Sequence, residues 1–408
     1  MRITAYNVTD VSSRTTDEQG ILAGYSGRIL LVMSVGTLSI MAGRLVISPL
    51  LPSIIDDLSM TTFQAGVALS LMWGLTASLQ YFSGRFADEL SRKTVLLTGL
   101  LIAALGLTLL STANSYPLFL VATATIGASA GIYPVAAYVQ TSDLFRERRG
   151  AAFGVLSASM DTGGAIAPVF AIAVLSLLTW RFAFFPIFVL VVLVMALLHV
   201  WNRESYVVER PALNVRETGS RIFGRAGTRR ILFAAGLVAF TWQGMASFLP
   251  TFLQVDKGFS PTVASAVFTG LFVVGAMARP LTGRLGDRYG YLRVSTLTAL
   301  LGASGLAVLL LADSLPLAVV STAMFGAGIA GFWPTTLTMI TQVFPDESLG
   351  GDFGASRMAY VGIGSIGPAY IGYVAGELSY TAAFVGLIGC LLLSATVIFW
   401  ELRVGSGG

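Results

Sequence analysis

Four ionisable side chains interrupt long apolar runs in this 408-residue chain: Arg44, Asp161, Arg279 and Arg357. A charge near the centre of a membrane is unfavourable by about 2.5–3.5 kcal/mol or more, so these side chains are expected to face a bundle interior or a water-filled cavity. Three guanidinium groups against one carboxylate favour a negatively charged cargo over a cationic one. The residues therefore predict a binding site for a small organic anion.

The partners of these charges are open at the sequence level. At a helical rise of about 1.5 Å per residue, Arg44 and Asp161 are both expected near the middle of the membrane. If they pair, Asp161 is either a proton-linked partner that releases Arg44 or one half of a static ion pair. Arg357 either joins Arg279 around an anion or closes on Asp88.

The composition identifies the elements that must position these residues. Hydrophobic residues make up 55% of the chain and charged residues only 11%, with a mean hydropathy of +0.79. A soluble protein carries about 25% charged residues, whereas apolar runs of about 20 residues match the roughly 30 Å hydrocarbon layer of a membrane. The sequence predicts an all-α membrane protein with twelve transmembrane helices, and it excludes a soluble enzyme.

Scarce residue types exclude several kinds of chemistry. There is one cysteine, Cys390, and one histidine, His199, so neither an internal disulfide nor a cysteine-based zinc site is available. The net charge of +4 is too small and too scattered to indicate a nucleic-acid partner. We expect no catalytic residue, no metal and no cofactor.

A long polar stretch divides the chain. It predicts a first bundle at 29–201, a cytoplasmic linker at 202–230 and a second bundle at 231–402, with tails at 1–28 and 403–408. Most of the 25 lysines and arginines flank the side that holds both termini, and by the positive-inside rule that side is the cytoplasm. We expect a monomer in the lipid bilayer of the cell membrane.

The two halves repeat each other. Gly84–Asp88 lies over Gly283–Asp287 at an offset of 199 residues, and Tyr133 lies over Trp333 at an offset of 200. A parallel six-helix repeat joined by a linker is typical of transporters whose binding site lies between two halves.

The repeated segment resembles the signature of the major facilitator superfamily. It reads Gly84-Arg85-Phe86-Ala87-Asp88 before Arg92-Lys93, and it recurs from Gly283 to Arg288. The resemblance implies a fold of two pseudo-symmetric six-helix bundles. It also implies a secondary transporter that works by alternating access with a coupling ion, for which a proton is the first expectation. It also implies that six residues hold the cytoplasmic side closed: Gly84, Asp88, Arg92, Gly283, Asp287 and Arg288.

The same resemblance implies that the first, fourth, seventh and tenth predicted spans surround a central cavity; these spans cover about 29–55, 117–141, 231–254 and 316–341. Polar and aromatic residues there offer an apolar face with a hydrogen-bonding group, as a small-molecule site requires. Together with the buried charges they give the predicted substrate-binding set: Arg44, Tyr133, Asp161, Trp242, Gln243, Arg279, Trp333 and Arg357.

Three functions remain open. Arg279-Pro280 before Gly283 is similar to members that carry monocarboxylates, although those tend to have an aspartate where this chain has Gly275. The first expectation is therefore an ion-coupled transporter of a small organic anion. The alternative within the family is a drug/proton antiporter, from whose usual pattern Thr123 and Ala167 depart. A transport-dead membrane sensor or scaffold is the alternative from another class.

Overall fold

The computed structural model describes residues 21–89, 91–206, 223–341 and 349–405, and within these ranges the chain is helical and contains no β-strand. The first half contains α1 (Gly24–Leu45), α2 (Ile47–Asp57), α3 (Thr62–Glu89), α4 (Arg92–Ser111), α5 (Tyr116–Leu144), α6 (Arg149–Leu175), a short 3₁₀ helix (Trp180–Ala183) and α7 (Phe184–Trp201). The second half contains α8 (Ala226–Val255), α9 (Pro261–Tyr289), α10 (Tyr291–Leu310), α11 (Leu315–Thr341), α12 (Leu349–Gly364), α13 (Gly367–Glu377) and α14 (Tyr380–Gly405).

These helices make twelve membrane crossings, as predicted. Among the described residues, ten helical segments are long and apolar enough to span a membrane, with α1 and α2 counted together. The other two crossings are α3, which carries more small and polar residues, and the pair α12 and α13. Twelve crossings return the chain to its starting side, which we call the near end; the opposite side is the far end.

Local sequence fixes where several helices begin and end. Thr61 and Gln64 form a reciprocal capping box at the start of α3, with the Thr61 amide donating to Gln64 Oε1 at 2.8 Å. Ser260 caps α9 ahead of Pro261, which needs no amide partner in the first turn. The same helix stops at Gly290, whose φ of +93° glycine adopts without strain.

Prolines divide two of the crossings into two helices each. Pro49 lies four residues after Leu45, the last residue of α1, and Pro368 lies four residues after Gly364, the last residue of α12. A proline lacks the amide hydrogen that would bond to the carbonyl oxygen four residues earlier, and its ring clashes with that carbonyl group. The first span (α1 and α2) and the eleventh span (α12 and α13) are therefore interrupted near mid-membrane.

The two signature segments lie on helices. The helix α3 continues to Glu89 and α9 to Tyr289, so both segments end a helix rather than lie in a loop. A Cβ added to Gly283 would meet no atom within 4 Å, whereas one added to Gly286 would lie 2.7 Å from the Tyr291 ring.

Matching close contacts make the two six-helix bundles pseudo-symmetric. A Cβ added to Gly127 would lie 2.1 Å from the Met72 carbonyl oxygen, and one added to Gly326 would lie 2.9 Å from that of Leu271. The two glycines are 199 residues apart in the sequence, and the two residues that supply the carbonyl oxygens are also 199 residues apart. Small residues allow helices to pack backbone to backbone where no water drives association.

The bundles contact each other most closely toward the far end. A Cβ on Gly66 of α3 would lie 2.5 Å from the Pro368 carbonyl oxygen and 3.1 Å from Gly372 of α13. Ser48 Oγ donates to the Ser247 carbonyl at 2.9 Å, again from the first bundle to the second. The far-end interface is therefore held by backbone contact as well as hydrogen bonds.

The predicted domain boundaries stay predictions. The first helix begins at Gly24 and the last ends at Gly405, slightly outside the predicted bundle edges at 29 and 402. Most of the predicted linker at 202–230 lies outside the described residues.

Candidate functional site

An ion pair between the bundles lies near mid-membrane. Arg279 on α9 donates from Nη1 to Oδ2 of Asp161 on α6. Asp161 lies about 18 Å along its helix from the near end at ~1.5 Å per residue. The carboxylate side chain is 19% exposed and the guanidinium side chain 40% exposed, so this pair borders accessible space.

The partner of Asp161 was left open by the sequence. In the structure the carboxylate pairs with Arg279 rather than with Arg44. The sequence could not decide between them because both arginines lie near mid-membrane, and only the packing of α6 against α9 selects one.

A second polar contact joins the bundles on the opposite flank. Arg357 Nε on α12 donates to Gln80 Oε1 on α3 at 3.3 Å. Gln80 is the repeat equivalent of Arg279, 199 residues earlier. The two flanks therefore carry related contacts, one between charges and one between a charge and an amide.

Both arrangements considered for Arg357 stay predictions. Arg279 is paired with Asp161 in this structure, which does not test a shared anion site with Arg357. The alternative contact with Asp88 stays a prediction, since the Asp88 side chain lies outside the described residues.

Arg44 is a buried cation for which the described part of the chain provides no carboxylate partner. The residue is 9% exposed, its guanidinium lies 4.1 Å from the centre of the Trp73 ring, and its Nη2 donates to Met41 Sδ at 3.1 Å. Its Nε is buried and has no hydrogen-bond partner. A cation–π contact provides about 0.5–2 kcal/mol, whereas removing a charge from water costs several kcal/mol. The charge of Arg44 is therefore incompletely compensated.

The indole beneath Arg44 is fixed by the second bundle. Trp73 Nε1 donates to Ser247 Oγ at 3.4 Å, and Trp73 is only 5% exposed. Ser247 therefore orients the ring on which the guanidinium stacks. The Arg44 environment is thus built from both bundles.

The aromatic members of the predicted set differ in their surroundings. Tyr133 is fully buried and donates from Oη to the Met33 carbonyl at 3.1 Å. Trp333 lies against Tyr360 with ring centres 5.1 Å apart, and Trp242 meets Phe272 edge to face at 5.8 Å. Tyr133 thus packs inside the first bundle, while Trp333 and Trp242 are partly exposed.

The packing of Tyr133 yields a specific expectation. Tyr133→Phe removes one hydrogen bond to the Met33 carbonyl, which still accepts from Thr37 Oγ1 at 2.9 Å, so we expect a loss of about 0.5–1.5 kcal/mol of stability. Substrate affinity should stay unchanged, because the hydroxyl is not exposed. Unfolding curves and transport kinetics of the two proteins check this, and a raised KM with unchanged stability would contradict it.

Gln243 links the α8 helix to the interrupted span eleven. Its Nε2 donates to the Val361 carbonyl at 3.0 Å, and its Oε1 is buried without a partner. The residue is 1% exposed. Its amide therefore has a structural contact on one side and a free acceptor on the other.

The predicted gating residues make contacts within their own bundles. Arg92 pairs with Asp143 at 3.1 Å, Asp287 accepts from Tyr291 Oη at 2.6 Å, and the Arg288 guanidinium lies 5.2 Å from the centre of the Tyr289 ring. The surroundings of Gly84 and the side chain of Asp88 lie outside what the structure describes. Gating by these residues stays a prediction.

Several residues of this region were not predicted from the sequence. Trp73, Ser247 and Tyr360 gave no signal beyond being aromatic or polar in apolar runs. Gln80 did give one, since it occupies the repeat position of Arg279. A systematic search for polar residues at matched repeat positions would have found it.

Two pseudo-symmetric six-helix bundles with charged side chains enclosed between them define a polytopic membrane transporter. The sequence profile of the Major Facilitator Superfamily matches residues 33–260 and 231–407, and the chain belongs to this superfamily.

Relatives and solved structures agree with that class. The chain is 24% identical over 384 residues to multidrug resistance protein MdtG of Serratia proteamaculans, covering 88% of this chain and 89% of that protein. It is 24% identical over 399 residues to multidrug resistance protein MdtG of Escherichia coli O1:K1, covering 92% and 95%. The fold is similar to an inward-facing, unoccupied bacterial homolog of the human lysosomal transporter Spinster (TM-score 0.80, 17% identity, 93% and 97% covered). It is also similar to the nucleoside transporter NupG (TM-score 0.77, 14% identity, 91% and 99% covered).

Proposed function

We propose that this transporter exports organic solutes from the cell in exchange for protons. The observation that carries the proposal is the Asp161–Arg279 ion pair, which joins the bundles at mid-membrane and borders accessible space. The relatives named for multidrug resistance support an exporter over an importer. Cell-membrane location with both termini in the cytoplasm belongs to the same proposal.

The ion pair suggests how protons are coupled to movement of the bundles. Protonation of Asp161 removes its charge and breaks its ionic contact with Arg279. The α6–α9 interface then loses an attraction between the bundles, and the equilibrium between the two access states shifts. Release of the proton on the other side restores the pair. A coupling ion acts in this way only if it binds the two states with different affinity.

A small organic anion remains the second candidate cargo. The specific observation that favours it is the uncompensated charge of Arg44. The relatives' names do not give the charge of their substrates. Export and an anionic cargo are compatible, so the two candidates differ in cargo class rather than in mechanism.

Reconstitution tests the proposed function. The purified protein is placed in liposomes that contain a pH-sensitive dye, and a panel of acidic, neutral and basic drug-like solutes is added without an imposed gradient. We expect at least one solute to drive proton movement in the opposite direction, in a protein-dependent manner. Solute movement without protons would refute the coupling, and no movement of any solute would favour the sensor or scaffold alternative.

A further inference from the structure

We propose that Arg44 is the anion-binding group of the cargo site and that it receives a carboxylate of the transported solute against Trp73. The inference rests on the proposed transport function and names the cargo class that this function leaves open.

The contacts of Arg44 leave a buried donor without a strong acceptor. Among the described residues its guanidinium has a thioether and an indole face as neighbours, and its Nε has no partner at all. Thioether sulfur is a weak acceptor. A planar guanidinium donates two parallel hydrogen bonds to a carboxylate, so the missing partner and the ligand chemistry match.

The pairing of Asp161 agrees with this preference. Asp161 is the carboxylate that could have balanced Arg44 at this depth in the membrane, but it is paired with Arg279. An incoming anion therefore compensates the charge of Arg44, whereas a cationic solute is repelled by it.

The geometry of α3 sets the size of the site. Trp73, which carries Arg44 on its face, and Gln80, which accepts from Arg357, are seven residues apart. This is two helical turns on one face, or about 10 Å. The two guanidinium groups therefore lie along one face of α3. Tyr360, which contacts Trp333, follows Arg357 by about one turn of α12. The proposed cargo is therefore an aryl carboxylate, with its anion at Arg44 and its ring toward this aromatic pair.

Both bundles build the site, which connects it to transport. Arg44 and Trp73 belong to the first bundle, while Ser247 and Arg357 belong to the second. Ser247 holds the Trp73 ring by the hydrogen bond at 3.4 Å. A movement of the bundles that breaks this bond also changes the surface beneath Arg44, so anion affinity differs between the two access states.

Ligand-dependent thermal stability of the detergent-purified protein tests the inference without a membrane or a proton gradient. The probes are naphthalene-2-carboxylate, its primary amide and naphthalen-2-ylmethylamine, all at constant ionic strength. We expect the carboxylate to raise the Tm by about 2 °C or more at saturation, as preferential binding to the folded state requires. The amide and the amine should raise it little or not at all.

Three variants make the result specific. In Arg44→Gln the carboxylate effect should disappear, while Arg44→Lys should retain part of it. Arg293→Gln, a matched change at an exposed arginine of α10, should behave as the unchanged protein. Without ligand, Arg44→Gln should be at least as stable as the unchanged protein, because it removes a buried cation that has no ionic partner.

Each contrary result overturns the inference. These results are equal stabilisation by the amide or amine, stabilisation that persists in Arg44→Gln, absence of stabilisation by the carboxylate, or an Arg44→Gln protein that is destabilised or does not fold. Asp161→Asn separates this inference from the proposed function. If that variant transports normally but still requires Arg44 for carboxylate binding, proton coupling through Asp161 fails while the anion site stands.

Discussion

Asp161→Asn is expected to uncouple transport from the proton gradient. The amide cannot release a proton, and it leaves Arg279 without its ionic partner. Coupling free energies between sites are typically about 1–3 kcal/mol, or ~5–150-fold in equilibrium constants. We therefore expect uphill transport driven by a pH gradient to fall by about 10- to 100-fold, with downhill exchange of solute retained. Parallel measurements of both fluxes in liposomes check this.

Arg279 provides the matched partner variant. Arg279→Gln removes the same ion pair by changing its partner in the second bundle. The Asp161 carboxylate is retained in this variant. Residues in direct contact give interaction energies of about 0.5–3 kcal/mol in double-mutant cycles. We expect the double variant to resemble Asp161→Asn alone. Independent, additive effects on gradient-driven transport would show that the contact does not couple the two groups.

Gly372→Ala is expected to open the far end of the transporter. The added Cβ would lie 2.5 Å from the Thr62 carbonyl oxygen and 3.1 Å from the Gly66 Cα across the bundle interface. Backbone atoms cannot rotate away, so the bundles must separate there. Overpacking of this kind costs about 1–3 kcal/mol, which corresponds to a shift of ~5- to 150-fold in the population of the far-end-closed state.

Distances between spin labels measure this shift. Labels at Asn114→Cys and Asp313→Cys, both exposed at the far end of opposite bundles, are introduced with Cys390→Ala, which removes the chain's one natural cysteine. Gly376→Ala is the control, because it lies one turn away on α13 and a Cβ there meets no atom within 4 Å. We expect longer distances in Gly372→Ala alone. Equal distance distributions in the labelled parent protein, in Gly372→Ala and in Gly376→Ala would disprove that the far end closes by direct backbone contact at Gly372.

We expect the two flanks to respond differently to protons. Asp161 and Arg279 form an ionic contact that is lost when the carboxylate takes up a proton, whereas Arg357 donates to the uncharged amide of Gln80. Proton coupling is therefore proposed for the first flank.

The number of membrane helices was readable from the sequence because hydrocarbon imposes a length and a polarity on every crossing. The internal repeat was equally readable, since Gly127 and Gly326 recur for the same packing reason. The interruptions at Pro49 and Pro368 were not predicted, because a proline inside an apolar run is tolerated in some membrane helices. Pro168, for instance, lies within the continuous α6 helix.

The sequence alone determined which residues carry charge inside the membrane: Arg44, Asp161, Arg279 and Arg357 were all recognised because a charge in an apolar run is unfavourable unless it is enclosed. Only the tertiary structure decided their partners. Position along a helix gives the depth of a side chain, but the rotation and packing of α6 against α9 and of α1 against α3 determine which neighbour it meets. Asp161 therefore neutralises Arg279 across the bundle interface, and Arg44 keeps an indole and an unfilled donor.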